Sequence, residues 1–422
     1  MSVALRNASE SSFPMLMVPR IRGARVAETA LILALGARHY TAIRLTSQGF
    51  RYTRRLTRIP VRTASRSYDV LVERGLLRSP GDVLLPIVPS YSKVFLLSSE
   101  PILRLWGSSL VKSLKRAGRA TEVVEMPDGE RAKRFALVEK LATKMVKLAG
   151  DRRSVVMALG GGVVGDVAGF AASIFMRGIP VIQVPTTLVA QVDSAIGGKT
   201  GVNLPAGKNL IGSFHQPLAV LADPDVLTTL PEREYRAGLF EAMKYGVIRN
   251  PEIFELMESQ GDALLRRDGD VLERLIVECV RVKAAIVSAD EREGGERRVL
   301  NFGHTIGHAL EAATGYKQFL HGEAVAWGMV AAAVVGHELQ ITDPALAARI
   351  ISLVRSYGEL PAVTVTGKRV LKLLQSDKKT VGGVPHFILA TSKLGTVEVV
   401  NTVRPSAVLA AVKEITRLSQ SQ

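Results

Sequence analysis

The chain is 422 residues long, 47% hydrophobic, with a net charge of +16, which is enough apolar material for two buried cores and excludes global disorder. Its single cysteine, Cys279, excludes an internal disulfide framework and is expected to act as a small buried hydrophobe in a reducing compartment. The longest nearly uncharged apolar run, residues 324–336, is too short to span a bilayer, so no membrane-spanning helix is expected.

The positive charge sits at one end. Residues 1–66 hold twelve arginines, no lysine and two acids, Glu10 and Glu28, a local +10 that leaves +6 for the remainder. A remainder of that size is ordinary for a protein that handles anionic ligands. The basic leader is open to three readings. Its Arg-rich, Ser/Thr-rich, acid-poor composition suits an organellar transit peptide. A nucleic-acid-binding arm would need interleaved aromatic residues, which are lacking. The third reading, a disordered or wrongly assigned start over residues 1–65, is the expectation adopted. Glu28 interrupts the apolar stretch ahead of residues 31–35 and argues against a secretory signal.

Past Arg66 the texture becomes regular. Residues 67–72 read as a strand closed by Gly75, and residues 93–97 as a short apolar strand ending in Ser98-Ser99-Glu100. A helix is expected over 102–117, a strand over 121–125, the turn Pro127-Asp128-Gly129, and helical periodicity over 130–148. A strand over 154–159 meets a glycine cluster and a small-residue helix, followed by a strand at 181–184. Strands alternating with helices imply parallel pairing in an open α/β sheet. Beyond Pro224 the helical periodicity is nearly continuous over 232–315 and resumes from Gly322, with a late hairpin at 387–390 and 397–400. The chain thus divides into a basic extension (1–65), an α/β half (66–230) and a mainly helical half (231–422).

Three segments carry chemistry. The first is Gly160-Gly161-Gly162-Val163-Val164-Gly165-Asp166, in which Gly160, Gly162 and Gly165 satisfy G-x-G-x-x-G between a strand and a helix. Such glycines let backbone amides approach a pyrophosphate, although a tight turn alone would also explain them. The acid that usually closes this fingerprint is missing, because the next strand runs into Pro185-Thr186-Thr187. The second is Asp193-Ser194-Ala195-Ile196-Gly197-Gly198-Lys199 with Lys208-Asn209, a lysine-bearing glycine-rich stretch suited to a phosphate. The third is Asn301-Phe302-Gly303-His304-Thr305-Ile306-Gly307-His308. Its two histidines, four apart on one helix face, could share a metal with His321 or Glu241. Thr305 stands where a zinc protease would carry glutamate, so peptidase chemistry is not expected.

Taken together, GGGVVGDVAGFAAS, PTTLVAQVDSAIGGKTGVN, GKNLIGSFHQP, GLFEAMKYGVI, RVLNFGHTIGHALE, LHGEAVAWGM and SDKK occur in an order and spacing that resembles the 3-dehydroquinate synthase family, from about Arg66 to the C-terminus. The resemblance implies an α/β protein with an N-terminal Rossmann-like NAD-binding domain and a mainly α-helical metal-binding C-terminal domain, the active site lying between them. It implies a divalent metal, zinc or alternatively cobalt, held by Glu241, His304 and His321, with His308 facing substrate instead. NAD would meet Asp128, Gly129, Glu130, Lys133, Gly162, Val163, Val164, Gly165, Asp166, Thr186, Thr187, Lys199 and Lys208. The anionic substrate would be gripped by Asp193, Asn209, Lys283 and Lys378, with Lys199, Lys244, Arg297, Asn301 and His308 as catalytic groups. Arg177 would reach the phosphate of a neighbouring subunit, implying a homodimer.

The family reaction, part of the shikimate route to chorismate and the aromatic amino acids, takes 3-deoxy-D-arabino-heptulosonate 7-phosphate (DAHP) to 3-dehydroquinate and inorganic phosphate, a carbon–oxygen lyase step. Transient oxidation of a carbinol acidifies the neighbouring C–H, phosphate leaves by β-elimination, the hydride returns, and an internal aldol addition closes the ring. No nucleic-acid or membrane partner is expected, and the expected location is the cytoplasm, or a plastid if residues 1–65 are a transit peptide. Ser98-Ser99-Glu100 departs from the Asp or Asn that related enzymes place against the adenosine ribose. Two rival readings are a cyclase of a neutral sugar phosphate such as sedoheptulose 7-phosphate, and a metal-dependent polyol dehydrogenase.

Overall fold

The computed structural model describes residues 31–36, 39–46, 49–52, 56–78, 80, 87, 91–376 and 385–421. The chain forms two compact units, residues 1–55 and 56–422. In the first, β1 (Leu31–Gly36), β2 (His39–Thr46) and β3 (Gly49–Tyr52) pair as an antiparallel meander.

The second unit opens on β4 (Thr57–Arg62) and β5 (Ser67–Val72), followed by β6 (Lys93–Ser99), α1 (Ser108–Arg116) and β7 (Thr121–Met126). Next come α2 (Phe135–Lys147), β8 (Ser154–Gly160), α3 (Gly162–Ile174) and β9 (Val181–Pro185). A hairpin of β10 (Lys199–Leu204) and β11 (Gly207–Phe214) precedes β12 (Ala219–Ala222). Seven strands make one sheet in the order β4-β5-β12-β9-β8-β6-β7, parallel throughout except for the β4/β5 pair. The strands β8 and β9 are buried along their whole length, which is why they read as unbroken apolar runs and not as alternating ones.

The helical half holds α4 (Glu232–Ile248), α5 (Pro251–Ser259), α6 (Gly261–Leu265), α7 (Gly269–Ala289), α8 (His304–Ala313) and α9 (His321–Glu338). It closes with α10 (Pro344–Ser356), α11 (Gly367–Ser376), the hairpin β13 (Phe387–Ala390) and β14 (Val397–Val400), and α12 (Pro405–Ser419). One face of the sheet packs against α2 and α3 in a core of its own. The other face shares a continuous core with the helices, through residues such as Leu188, Val192, Leu239 and Met243. Among the described residues no helix is long and apolar enough to cross a membrane.

The structure differs from the sequence reading in four places. The expected boundary at Arg66 falls too late, because β4 pairs with β5 and buries Ile59 and Val61 in the sheet. Strands β1–β3 lie within the stretch to which no regular element is assigned from sequence. The helix expected over 102–117 opens with a wide turn at Leu103–Gly107 before α1. The lysines of the glycine-rich stretch, Lys199 and Lys208, to which no strand is assigned from sequence, lie on the β10–β11 hairpin, whose glycines hide its strand character.

Candidate active site

At the nucleotide turn, β8 delivers its buried end into Gly161 and the N-terminus of the thirteen-residue helix α3. No side chain caps that terminus. Uncapped amides and the positive end of the helix dipole are what a pyrophosphate requires. Lys133, almost fully buried, pairs its ammonium with Asp166 in the first turns of α3. Glu130 accepts a hydrogen bond of 2.6 Å from Asn203 Nδ2, and Asn203 Oδ1 accepts one of 2.8 Å from the Asn209 amide. The turn after β7 is thereby tied to the hairpin that carries Lys199 and Lys208. The residues present fit a bound dinucleotide.

The candidate metal centre is assembled by three helices. Gly322 lets α9 approach α4 so closely that a Cβ there would lie 2.0 Å from the Ala237 carbonyl oxygen. Gly328 does the same against Gly303, just ahead of α8, where a Cβ would lie 1.7 Å from the carbonyl oxygen. These contacts bring Glu241 of α4, His304 and His308 of α8, and His321 of α9 to one point. One ring nitrogen from each of His304, His308 and His321 lies within 4.8 Å of the other two. His321 Nε2 and His304 Nε2 sit 3.3 and 3.7 Å from the same oxygen, Glu241 Oε1. The opposite nitrogens are engaged elsewhere: His304 Nδ1 donates to the Phe302 carbonyl at 3.0 Å, and His321 Nδ1 to Glu311 Oε2 at 3.1 Å.

This donor set calls for a cation. Glu241 is fully buried, and neither carboxylate oxygen meets a hydrogen bond of good geometry, although Lys244 Nζ lies 2.7 Å from Oε2. Burial would raise its pKa, but Lys244, His304 and His321 hold it below the usual carboxylate range. Burial and the Lys244 charge push His304 down to about 4, leaving its Nε2 lone pair available. Burial would lower His321 as well, but Glu241 and Glu311 raise it to about 10. Two carboxylates converging on one imidazole mark a place for positive charge, and the set fits a divalent metal.

Behind this centre lies an ionic cluster. Asp193 meets Lys244 Nζ at 3.2 Å and also pairs with Lys283. Burial opposes its ionisation, but the two lysines hold Asp193 well below its ordinary pKa. Burial, Arg297 and Lys244 lower Lys283 to about 8, with Asp193 as the opposing influence.

A cleft of about 680 Å³ joins these parts. Its walls include Asp166 from the nucleotide turn, Lys199 and Asn209 from the hairpin, and Asn301, His304 and His308 from the helical half. Lys199 is paired with Glu293, whose other oxygen accepts a 3.4 Å hydrogen bond from Asn301.

Family models described as 3-dehydroquinate synthase N-terminal and 3-dehydroquinate synthase C-terminal match residues 123–237 and 238–380. A 3-dehydroquinate synthase from Koribacter versatilis (strain Ellin345) is 55% identical over 364 residues, 86% of this chain and 99% of the relative. The chain belongs to the 3-dehydroquinate synthase family. Solved structures that share its fold include two synthases. One is the 2-epi-5-epi-valiolone synthase ValA from Streptomyces hygroscopicus subsp. jinggangensis 5008, with NAD+ and Zn2+ bound, at TM-score 0.77 and 28% identity over 84% of this chain and 98% of that one. The other is a 2-deoxy-scyllo-inosose synthase complexed with carbaglucose-6-phosphate, NAD+ and Co2+, at TM-score 0.75 and 26% identity over 85% and 99%.

Within this dehydroquinate synthase fold, most of the residues singled out in the sequence converge. Asp128 and Gly129 form the turn after β7, and Gly162, Val163, Val164, Gly165 and Asp166 open α3. Thr186 follows β9, and Thr187 Oγ1 accepts the Ala190 amide at 3.2 Å. Two residues sit differently. Arg297 is 1% exposed, its guanidinium donating to the carbonyls of Gly197 and Glu291, while the neighbouring Arg298 lines the cleft. Lys208, expected at NAD, pairs at 3.2 Å with Glu311 and lies 4.3 Å over the Tyr316 ring. Arg177 lies beyond α3 on the surface, away from the cleft lining. Lys378 lies outside the described residues.

Glu293 and Glu311 were missed. Glu311 stands seven residues after His304, hence on the same helix face, and that spacing was a usable signal. Glu293 lies in an irregular acidic stretch with no periodicity to distinguish it from a solvated loop residue.

Proposed function

We propose that the chain converts DAHP into 3-dehydroquinate and inorganic phosphate, using NAD+ catalytically together with a divalent metal, zinc or cobalt. The observation that carries this reading is the single cleft shared by the nucleotide turn, the two-stranded hairpin with its lysine and asparagine, and the histidine centre. Bound NAD+ would supply transient hydride acceptance and return, and the metal would supply Lewis-acid polarisation of substrate hydroxyls.

The chain's own groups would do the rest. Glu241, His304 and His321 would hold the metal. Lys199 and Asn209 would bind phosphate, the lysine countering charge that develops as phosphate departs. His308 and Asn301, on the helical wall, would orient the hydroxyls, and Arg298 would hold the carboxylate in place of the buried Arg297. Asp193 would fix Lys244 and Lys283 as a preorganised cationic pair. The single cysteine, Cys279, free and buried, suits the reducing cytoplasm.

A homodimer is part of this reading. Arg177 adopts a left-handed backbone (φ 69°), as does Met176 (φ 50°), and exposed Ile174 and Met176 flank it. Backbone strain of this sort, with apolar exposure beside it, suits an arginine presented to a neighbouring subunit. The organisation proposed is a nucleotide-binding domain over residues 56–230 and a metal- and substrate-binding domain over 231–422.

Incubation with DAHP, catalytic NAD+ and zinc should release phosphate without net accumulation of NADH. Phosphate release from sedoheptulose 7-phosphate alone would support the neutral-substrate cyclase instead. Accumulation of NADH matching product would point to the polyol dehydrogenase.

A further inference from the structure

We propose that Glu311 is the positioning residue for the metal-facing nitrogen of His321, and that Lys208 anchors Glu311 from the β10–β11 hairpin. The proposal rests on the reading of His321 as a metal ligand. An imidazole presents one lone pair, and the partner of its other nitrogen decides which nitrogen that is. In His304 the main chain makes the choice, since Nδ1 donates to the Phe302 carbonyl, a partner that no substitution removes. In His321 a side chain makes it: Nδ1 donates to Glu311 Oε2 at 3.1 Å, turning Nε2 toward Glu241 Oε1 at 3.3 Å.

Glu311 is 4% exposed, and a carboxylate buried to that degree must be paired. Its two oxygens have separate partners, His321 Nδ1 on Oε2 and Lys208 Nζ at 3.2 Å on Oε1. Lys208 is itself held over the Tyr316 ring. The chain Lys208–Glu311–His321 therefore runs from the β10–β11 hairpin of the α/β half to the metal centre of the helical half. One ligand is anchored by backbone and the other by a bridge between the halves.

The test measures zinc affinity by competition with a chromogenic chelator, and the visible spectrum of the cobalt-loaded protein, on the full chain. Glu311→Gln keeps shape and loses charge, and Glu311→Ala removes the acceptor. Both should weaken zinc binding about 10- to 100-fold and shift the cobalt bands, with melting temperature reported alongside. Lys208→Met should weaken it several-fold. A folded Glu311→Gln protein with unchanged zinc affinity and cobalt spectrum would overturn the proposal, and an unchanged Lys208→Met protein would overturn its anchoring half. If His321→Ala binds zinc as tightly as the parent, the ligand assignment fails and this proposal with it.

Discussion

Gly322 and Ala237 touch backbone to backbone, and this contact sets the spacing between the helix that carries His321 and the helix that carries Glu241. A Cβ on Gly322 would lie 2.0 Å from the Ala237 carbonyl oxygen. Gly322→Ala is therefore expected to push α9 from α4, lowering stability by about 1–3 kcal/mol through overpacking. Zinc content should fall in the same variant. Thermal unfolding and metal analysis read the two effects, and a variant that keeps both values would show that the contact is slack.

His304→Ala and His321→Ala should each lose zinc and turnover, because a three-ligand site rarely survives the loss of one donor. His308→Ala should retain zinc while kcat falls about 10²–10⁴-fold, the usual scale of a lost acid–base group. Metal analysis on the purified variants separates the roles. Zinc lost from the His308 variant but kept by the His321 variant would replace the proposed ligand set.

Lys283 is expected to set a pH limb. Burial, Arg297 and Lys244 bring it to about 8, against an ordinary value of 10.5. If Lys283 helps hold an anionic substrate as proposed, that cation is lost as pH rises through about 8, so kcat/KM should decline there. Lys283→Arg, which stays charged, should shift that limb upward. Stability moves the other way: between about 8 and 10.5 the unfolded chain binds the extra proton, so this group's contribution to stability increases with pH in that window. A pH–rate profile with no limb near 8, or one identical in the arginine variant, would remove Lys283 from substrate binding.

Truncation locates the true start of the sheet. A chain beginning at Leu56 keeps β4, with Ile59 and Val61 buried against the sheet, whereas one beginning at Arg66 removes the strand. Burial of side chains of this size contributes about 1.5–3 kcal/mol each. The shorter chain should therefore melt at a clearly lower temperature than the one starting at Leu56, which should match the full chain. Equal melting temperatures for the two truncations would show that β4 is dispensable.

The sequence by itself determined a good deal of this protein. Local apolar pattern was sufficient for β5, β8, β9, the helical half and the late hairpin Phe387–Ala390/Val397–Val400, as unbroken apolar runs in the buried strands and as helical periodicity in the second half. The glycine turn and the His304/His308 pair were legible for the same reason, since both depend on short-range spacing.

Only the tertiary structure decided the rest. Which histidine nitrogen faces Glu241 depends on partners 2 and 10 residues away, Phe302 and Glu311. That Arg297 turns inward to Gly197, 100 residues distant, while Arg298 reaches the cleft is set by packing across elements. Edge strand β4 alternates buried Ile59 and Val61 with exposed neighbours, but Pro60 masks the strand in sequence, and the β10–β11 hairpin owes its form to pairing more than to propensity. Spacing along one helix or strand can be read from a sequence, but the approach of two backbones through Gly322 exists only once both helices are in place.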